Sequence, residues 1–133
     1  MGHDPRVALL SFANFGGPAI AGFTRVREAG AELERRKPDF EFDGDMTVEV
    51  ALDQRLMKTL YPICRLSGPA NVLVMPGLQS ANLSAKLLRE LAGNATIGPM
   101  LIGLEKPVQI APMTANAPDV LTLAVLAAAG VVG

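Results

Sequence analysis

The chain has 133 residues, of which 50% are hydrophobic and 13 are glycine, so it has the length of one domain and is too apolar to be disordered. Its 12 basic and 13 acidic residues leave a net charge of −1, which argues against binding to nucleic acid through a basic surface. Aromatic residues make up 5% and tryptophan is absent, which argues against a platform for stacking bases.

Cysteine and histidine usage restricts the chemistry further. The single cysteine, Cys64, excludes an internal disulfide framework, and the single histidine, His3, leaves no His-based zinc cage or catalytic relay. The longest apolar tract, 120–132, is shorter than the ~20 residues that span a bilayer, and no signal peptide is recognisable. We therefore expect a cytoplasmic protein with no metal site in this segment and no membrane or nucleic-acid partner.

The first quarter of the chain predicts a strand followed by a helix. Residues 7–12 form a short apolar run, which is typical of a strand buried on both faces. Residues 23–36 have the periodicity of an amphipathic helix, which Pro38 stops. The predicted inner face of this helix consists of Val26, Ala29 and Leu33.

The next segment predicts a half-exposed strand and one helix. Residues 40–43 alternate apolar and acidic side chains, and Gly44 is expected in a turn after them. Residues 48–60 predict a helix that Thr47 caps. Its predicted inner face consists of Val48, Leu52, Leu56 and Leu60.

The second half predicts three more strands and two more helices. Residues 71–75 resemble a second buried strand, and 78–91 a helix whose inner face consists of Ala81, Ala85, Leu88 and Ala92. Residues 97–104 and 107–111 predict strands, and 119–129 predict an almost wholly apolar helix. This alternation predicts an α/β layered domain with a largely parallel or mixed sheet.

Residues 11–17 form the first candidate binding site. They lie between the first strand and the first helix, where backbone N–H groups and a helix dipole collect anions in α/β proteins. The run is neither GxGxxG nor a Walker A loop, because no lysine follows the glycines. A turn that simply requires glycine explains the same residues. The candidate ligand-binding residues here are Ser11, Asn14, Gly16 and Gly17.

Asn82 and Lys86 form the second candidate. They lie four positions apart on a predicted helix and therefore share one face. A lysine near the carboxyl end of a strand can neutralise a phosphate or diphosphate. The alternative is a solvated helix face on which Lys86 pairs with Glu90.

Acidic residues offer two weaker candidates. Asp39, Glu41, Asp43 and Asp45 alternate along the chain, and alternate positions of one strand seldom converge on one cation. We therefore predict a solvated strand edge that charge protects from pairing. Asp119 is at or near the start of the last helix, where capping explains it.

Five segments occur in an order shared with a known family. They are residues 7–17, 42–46, 67–76, 81–87 and 97–108. Two strings within them are specific in combination, Gly-x-Ala-Asn-Val-Leu-x-x-Pro and Ile-Gly-Pro-x-Leu-x-Gly-Leu-x-Lys-Pro. The chain resembles the C-terminal part of a phosphate acetyltransferase (phosphotransacetylase) domain. It is most similar to the branch fused behind the catalytic part of bacterial NADP-dependent malic enzymes.

The resemblance implies a fold and a ligand. The fold is a three-layer α/β/α arrangement, one half of an isocitrate/isopropylmalate dehydrogenase-like architecture, with the site in a cleft that receives CoA and acyl phosphate. In the fused enzymes, the malic enzyme portion oxidatively decarboxylates malate to pyruvate and CO2. The NADP and divalent metal of that reaction are expected only in that portion, so no cofactor is expected here.

The resemblance also shows departures from the working transferases. Those enzymes carry a Ser-Arg pair after the Lys-Pro-Val strand, and an Asp that acts as general base on the CoA thiol. Here these positions hold Pro112, Met113 and Asp119, so Asp119 is only a catalytic remnant. Ala81 and Ala85 replace a glycine and a tyrosine that are usual in the helix motif.

Three hypotheses follow for residues 1–133, taken as a single domain. The first is a degenerate phosphate acetyltransferase-like domain of a malic enzyme that binds acetyl-CoA or a related CoA ester, regulates the enzyme allosterically and holds a homo-oligomer together. The second is an active phosphate acyltransferase, and the third a purely structural oligomerisation segment. The final helix, 118–130, is expected to pack on a missing domain or on another subunit.

Overall fold

A computed structural model describes residues 4–16, 21–92 and 98–129, and only the backbone within 21–23. The chain divides into two compact units, Met1–Lys86 and Leu87–Gly133. In chain order, the elements of the described ranges are β1 (Arg6–Leu10), α1 (Ala21–Arg36), β2 (Glu41–Met46), α2 (Val48–Leu52), α3 (Gln54–Leu60), β3 (Val72–Val74), α4 (Leu78–Ala92) and α5 (Ala117–Ala129).

The three strands form one parallel sheet in the order β2-β1-β3. Val7 of the central strand pairs with Phe42 of β2 on one side and with Val72 of β3 on the other. Residues 7–10 of β1 are all buried, as predicted for an apolar run covered on both faces. The α/β class with a parallel sheet is therefore confirmed.

Helices cover both faces of β1. Ala8 and Leu10 belong to the main core, which also contains Met46, Val50, Ala51, Met57, Leu66 and Ala70. Leu9 points to the other face, where a Cβ built on Gly30 of α1 would lie 3.5 Å from Leu9 Cδ1. Successive strand residues alternate between faces, so the arrangement has three layers, α1 on one side and α2–α3 on the other.

The inner face of α1 differs from the predicted one by one residue. Val26 is buried as expected, and Leu33 is half-buried. Ala29 is exposed, whereas Gly30 lies against the sheet. A Cβ at Gly30 would be in ordinary van der Waals contact with Leu9, and apolar periodicity missed this position because glycine is not counted as apolar.

β2 contains a bulge that the sequence pattern did not reveal. Pairing moves from Leu9–Gly44 to Leu10–Met46, so Asp45 is the extra residue of β2. Gly44 has a φ of +139°, and a Cβ there would lie 2.9 Å from Leu9 Cβ and overlap the Leu9 carbonyl oxygen. The predicted turn at Gly44 is wrong, because this glycine lies inside β2 where the two backbones approach each other.

The single helix predicted over 48–60 is divided in two by Asp53. Asp53 has φ −104° and ψ 101°, and its carboxylate accepts hydrogen bonds from the backbone N–H groups of Arg55 and Leu56. It therefore ends α2 and caps α3. The predicted inner face is wrong except at the half-buried Leu56. The buried residues are Val50, Ala51 and Met57, whereas Val48, Leu52 and Leu60 are exposed.

β3 forms where a second buried strand was predicted, but it is not buried. Val72 and Val74 are 41% and 43% exposed, and only Leu73 packs against the main core. The reason is position, since β3 lies at one edge of the described sheet. The prediction of a strand is confirmed, and the prediction of its burial is wrong.

α4 and the segment after it depart furthest from the prediction. α4 has no buried side chain; Ala85, Leu88 and Ala92 are exposed and Ala81 is half-buried, so the predicted inner face is wrong. The described residues of the two strands predicted over 97–104 and 107–111 form no strand. Instead, the Gln109 carboxamide accepts from Leu101 N (3.3 Å) and donates to Leu101 O (3.4 Å). A side chain thus satisfies backbone groups that a neighbouring strand would pair.

α5 confirms the predicted apolar helix. Leu123 is its one buried side chain within the described range, whereas Val120, Leu121 and Val125 are exposed. None of the helices in the described part of the chain is long and apolar enough to cross a membrane. The packing of α5 on another domain or subunit stays a prediction.

Candidate functional site

The loop 11–16 follows the carboxyl end of β1 and is fixed by hydrogen bonds to the β2–α2 junction. Ser11 N donates to Met46 O (2.8 Å). Asn14 Oδ1 accepts from Thr47 N (2.7 Å) and from Thr47 Oγ1 (3.2 Å). These two bonds hold Oδ1 of Asn14, and Nδ2 is the side-chain group with which Asn14 can donate to a ligand.

Two further amides of the loop converge on Asp45, the bulge residue of β2. Phe15 N donates to Asp45 O (2.8 Å), and Gly16 N donates to Asp45 Oδ2 (3.2 Å). Phe15 and Gly16 have φ values of 41° and 120°, in the left-handed region that favours glycine. An anion that used the Gly16 amide would meet the Asp45 carboxylate there. Gly17, the remaining predicted residue of this loop, lies outside the described residues.

Asn82 and Lys86 both lie on α4, and both are exposed. They are one helical turn apart, so they share a face as predicted. No hydrogen bond or ion pair joins them to Ser11, Asn14 or Gly16 within the described ranges. The structure therefore shows two groups of candidate residues, one in the loop after β1 and one on α4.

The acidic run is not a solvated edge throughout. Asp39 and Glu41 are exposed, but Asp43 and Asp45 are each only 5% exposed, so the prediction is wrong for those two. Glu41 accepts hydrogen bonds from Ser67 N (2.9 Å) and Ser67 Oγ (3.0 Å), and these bonds hold the pKa of its carboxyl below the usual value. The carboxylates of Glu41, Asp43 and Asp45 accept hydrogen bonds from backbone N–H groups, which need acceptors when they lie away from water. No metal-binding cluster of His, Cys, Asp and Glu occurs among the described residues.

Asp43 and Arg65 form a charged centre that the sequence did not reveal, in which the carboxylate is buried and the guanidinium is half-exposed. Asp43 accepts from Gly44 N (2.9 Å), Arg65 N (2.6 Å) and Arg65 Nη2 (3.2 Å). The Arg65 guanidinium also donates to Glu34 of α1 (3.1 Å) and lies 5.1 Å from the centre of the Phe42 ring. Burial lowers the pKa of Arg65, but the bonds to Asp43 and Glu34 outweigh it, so the pKa is raised. The alternating pattern of residues 40–43 predicted that Asp43 faces solvent. A pair between a buried Asp43 and Arg65 was therefore not expected.

Cys64 is adjacent to this centre and is a poor nucleophile. Burial is the main cause that raises the pKa of its thiol, and the nearby Asp43 carboxylate raises it further. The thiolate is the reactive form of cysteine, so a raised pKa keeps this residue unreactive at neutral pH. This agrees with the absence of an internal histidine from the sequence.

In the second unit, Asp119 forms one half of a capping box. Asp119 N donates to Asn116 Oδ1 and Asn116 N donates to Asp119 Oδ2, both at 2.9 Å. Asn116 is thus the N-cap and Asp119 the third residue of α5, which refines the predicted capping role. Pro112 O accepts from Ala115 N in the preceding turn, and the Met113 side chain is fully exposed.

Comparison with known proteins shows the family to which the chain belongs. The sequence profile of the Phosphate acetyl/butaryl transferase family matches residues 1–128. The chain belongs to this family. It is 53% identical over 128 residues to an NADP-dependent malic enzyme of Rhizobium meliloti, and the matched region covers 96% of this chain and 17% of that enzyme. It is 35% identical over 128 residues to a phosphate acetyltransferase of Paracoccus denitrificans, which covers 96% of this chain and 40% of that protein.

The phosphate acetyl/butaryl transferase assignment is supported by structure as well. A phosphotransacetylase from Streptococcus pyogenes matches with a TM-score of 0.88 and 33% identity, covering 98% of this chain and 40% of that chain. The chain therefore spans less than half the length of each of these relatives. It is homologous both to a domain found in malic enzymes and to phosphate acetyltransferases, as the sequence motifs predicted.

Proposed function

We propose that this chain is a degenerate phosphate acetyltransferase-like domain that regulates and assembles an NADP-dependent malic enzyme, with acetyl-CoA or a related CoA ester as its ligand. One observation carries the proposal: Pro112 and Met113 stand where the resemblance expects the Ser-Arg pair of a working transferase. The exposed thioether of Met113 cannot donate the two parallel hydrogen bonds with which arginine holds a phosphate. NADP, the divalent metal and the conversion of malate to pyruvate and CO2 belong to the rest of such an enzyme.

The proposed ligand-binding residues come from the loop after β1 and from α4. Lys86 supplies a positive charge for a phosphate or diphosphate, and Asn82 supplies an amide on the same helix face. In the loop, Thr47 holds the oxygen of the Asn14 amide, and Asn14 Nδ2 is the proposed donor to the ligand. Ser11, Gly16 and Gly17 complete the proposed set.

Calorimetric titration with acetyl-CoA tests the ligand. We expect Lys86→Ala to weaken binding about fivefold, because an exposed contact of this kind contributes on the order of 1 kcal/mol. Lys58→Ala removes the same charge from an exposed position on α3 and should leave the affinity unchanged. Equal affinity of the Lys86→Ala variant and the parent chain would show that the site is misplaced. Absence of binding to the parent would favour a purely structural segment.

The same proposal expects no transfer of acetyl groups between phosphate and CoA. Stabilisation of developing charge is usually the largest catalytic term, and Pro112-Met113 provides none. Asp119 alone remains of the three positions, and one of its carboxylate oxygens caps α5. A coupled thiol assay with acetyl phosphate and CoA should show only background. Turnover that Asp119→Asn abolishes would contradict this and favour an active acyltransferase.

Self-association is the assembly part of the proposal. Val120, Leu121 and Val125 of α5 are 49%, 66% and 59% exposed, and apolar area left in water costs ~25 cal/mol per Å² relative to burial. Light scattering at micromolar concentration should therefore detect an oligomer that Leu121→Glu weakens. Thr122→Glu introduces the same charge at the adjacent polar position and should weaken it less. A monomeric parent chain would remove this part of the proposal.

A further inference from the structure

The loop 11–16 follows a parallel strand, as anion-binding loops do, but the amides of Phe15 and Gly16 are already occupied. Loops that follow a parallel strand offer backbone N–H groups to anions. Here Phe15 N and Gly16 N both point to one residue, Asp45, at 2.8 Å and 3.2 Å. The acceptor of the Gly16 amide is the carboxylate oxygen Oδ2, which is itself an anion.

The bulge in β2 explains why Asp45 reaches this position. Asp45 is the extra residue between the pairs Leu9–Gly44 and Leu10–Met46, so it has no partner in β1 and leaves the regular alternation of the strand. Its side chain is only 5% exposed. Because the bulge lies at the carboxyl end of the strand, beside the loop after β1, it places a buried carboxylate under the Gly16 amide.

We infer that the Asp45 carboxylate occupies the anion position of loop 11–16 and acts as an autoinhibitory contact that lowers the loop's affinity for phosphate groups. The inference rests on the ligand role proposed for this loop. A phosphate oxygen that bonds to Gly16 N must displace the carboxylate or lie beside it, and two like charges at that separation repel each other. A hydrogen bond to a charged group is strong enough for its loss to change affinity by about tenfold.

Asp45→Asn separates the effect of charge from the effect of geometry. Asparagine keeps a side-chain oxygen that accepts from Gly16 N but removes the negative charge. The probe is inorganic phosphate, and the readout is the shift of the Gly16 amide in a proton–nitrogen NMR titration. We expect phosphate to bind the Asp45→Asn variant about tenfold more tightly than the parent chain. Asp39→Asn makes the same change in net charge at an exposed residue and should leave the affinity unchanged.

Three results would overturn the inference: equal affinity of the Asp45→Asn variant and the parent, an equal gain in Asp39→Asn, or phosphate shifts that spare Gly16. If Asp45→Asn does not fold, the parent chain decides. At high phosphate, the Gly16 amide and the carboxyl carbon of Asp45 must then shift together, and failure of either to move contradicts the contact. The acetyl-CoA titration is independent, since tighter phosphate binding without acetyl-CoA binding would refute the proposed ligand and leave the contact standing.

Discussion

Removal of the Arg65 guanidinium tests whether the Asp43–Arg65 centre stabilises the first unit. Arg65 Nη2 lies 3.2 Å from Asp43 Oδ1, and the two side chains are 51% and 7% exposed. Arg65 connects the segment between α3 and β3 to β2 through Asp43 and to α1 through Glu34. Arg65→Ala leaves the buried carboxylate of Asp43 without its charged partner.

The expected loss of stability is about 2 kcal/mol. Removal of the partner of a buried carboxylate lowers the free energy of unfolding by about 3–5 kcal/mol when nothing else compensates the charge. Asp43 retains the backbone donors Gly44 N at 2.9 Å and Arg65 N at 2.6 Å, and Arg65 is half in water. The loss should therefore be that of one hydrogen bond to a charged group, about 2 kcal/mol. The exposed pair with Glu34 adds only about 0.5 kcal/mol.

Urea unfolding followed by circular dichroism measures the change. The free energy of unfolding should fall through a lower midpoint with an unchanged slope. Glu34→Gln is the matched control and should cost about 0.5 kcal/mol or less. A double-mutant cycle with Asp43→Asn isolates the pair energy. If Arg65→Ala costs no more than Glu34→Gln, the backbone donors alone satisfy Asp43 and the reasoning is refuted.

Two further substitutions and one titration have defined outcomes. Gly44→Ala should lower the free energy of unfolding, measured with urea, by about 3 kcal/mol, because the φ of +139° disfavours a side chain and the contact with β1 leaves no room for a Cβ. Gly77→Ala is the control, because a Cβ at Gly77 meets nothing within 4 Å. Equal losses in the two variants would contradict the argument. Asp119→Ala should cost about 1 kcal/mol by removing half of the capping box, and an unchanged midpoint would show that the cap contributes nothing. The Glu32 carboxyl should titrate with a pKa of about 2 rather than its ordinary 4.5, chiefly because Arg35 donates to it and then because the next arginine does. Its stabilising contribution is therefore present above 4.5 and lost as the pH falls towards 2, whereas an NMR-detected pKa near 4.5 would show that the exposed pairs do not persist.

The sequence predicts β1 well because local pattern and tertiary position agree there. A strand that is covered on both faces has a continuous apolar sequence, and the continuous apolar run of β1 therefore predicts its buried position. Asp53 shows the opposite case, since its position fits the apolar period of one long helix. Only its hydrogen bonds from the backbone N–H groups of Arg55 and Leu56 show that it caps a second helix. The prediction that β3 is buried is wrong for a related reason, because the sequence does not show which strand lies at the edge of the sheet.

The position of the loop 11–16 was predictable, but its contacts were not. The order of strand, glycine loop and helix correctly located the loop 11–16 at the carboxyl end of β1. The contact of Gly16 with Asp45 depends on pairing between segments that are 29 positions apart and on a bulge that shifts the register. A pattern of alternating residues assumes one uninterrupted register, so it could not place Asp45 correctly.

The sheet order has a consequence for synthesis of the chain on the ribosome. Of the three described strands, β1 is made first but lies in the centre, so its second neighbour is available only after Val74 has emerged from the exit tunnel. Until then, a strand of apolar residues presents an unpaired edge, and such an edge favours association between nascent chains. The short edge strand β3 ends this exposed period, and Asn71 helps it, because its side chain accepts from Arg6 N and its backbone N–H donates to Arg6 O. Asn71 therefore closes the ladder one residue before β3 begins, so a substitution there should lower the yield of soluble protein more than it lowers equilibrium stability.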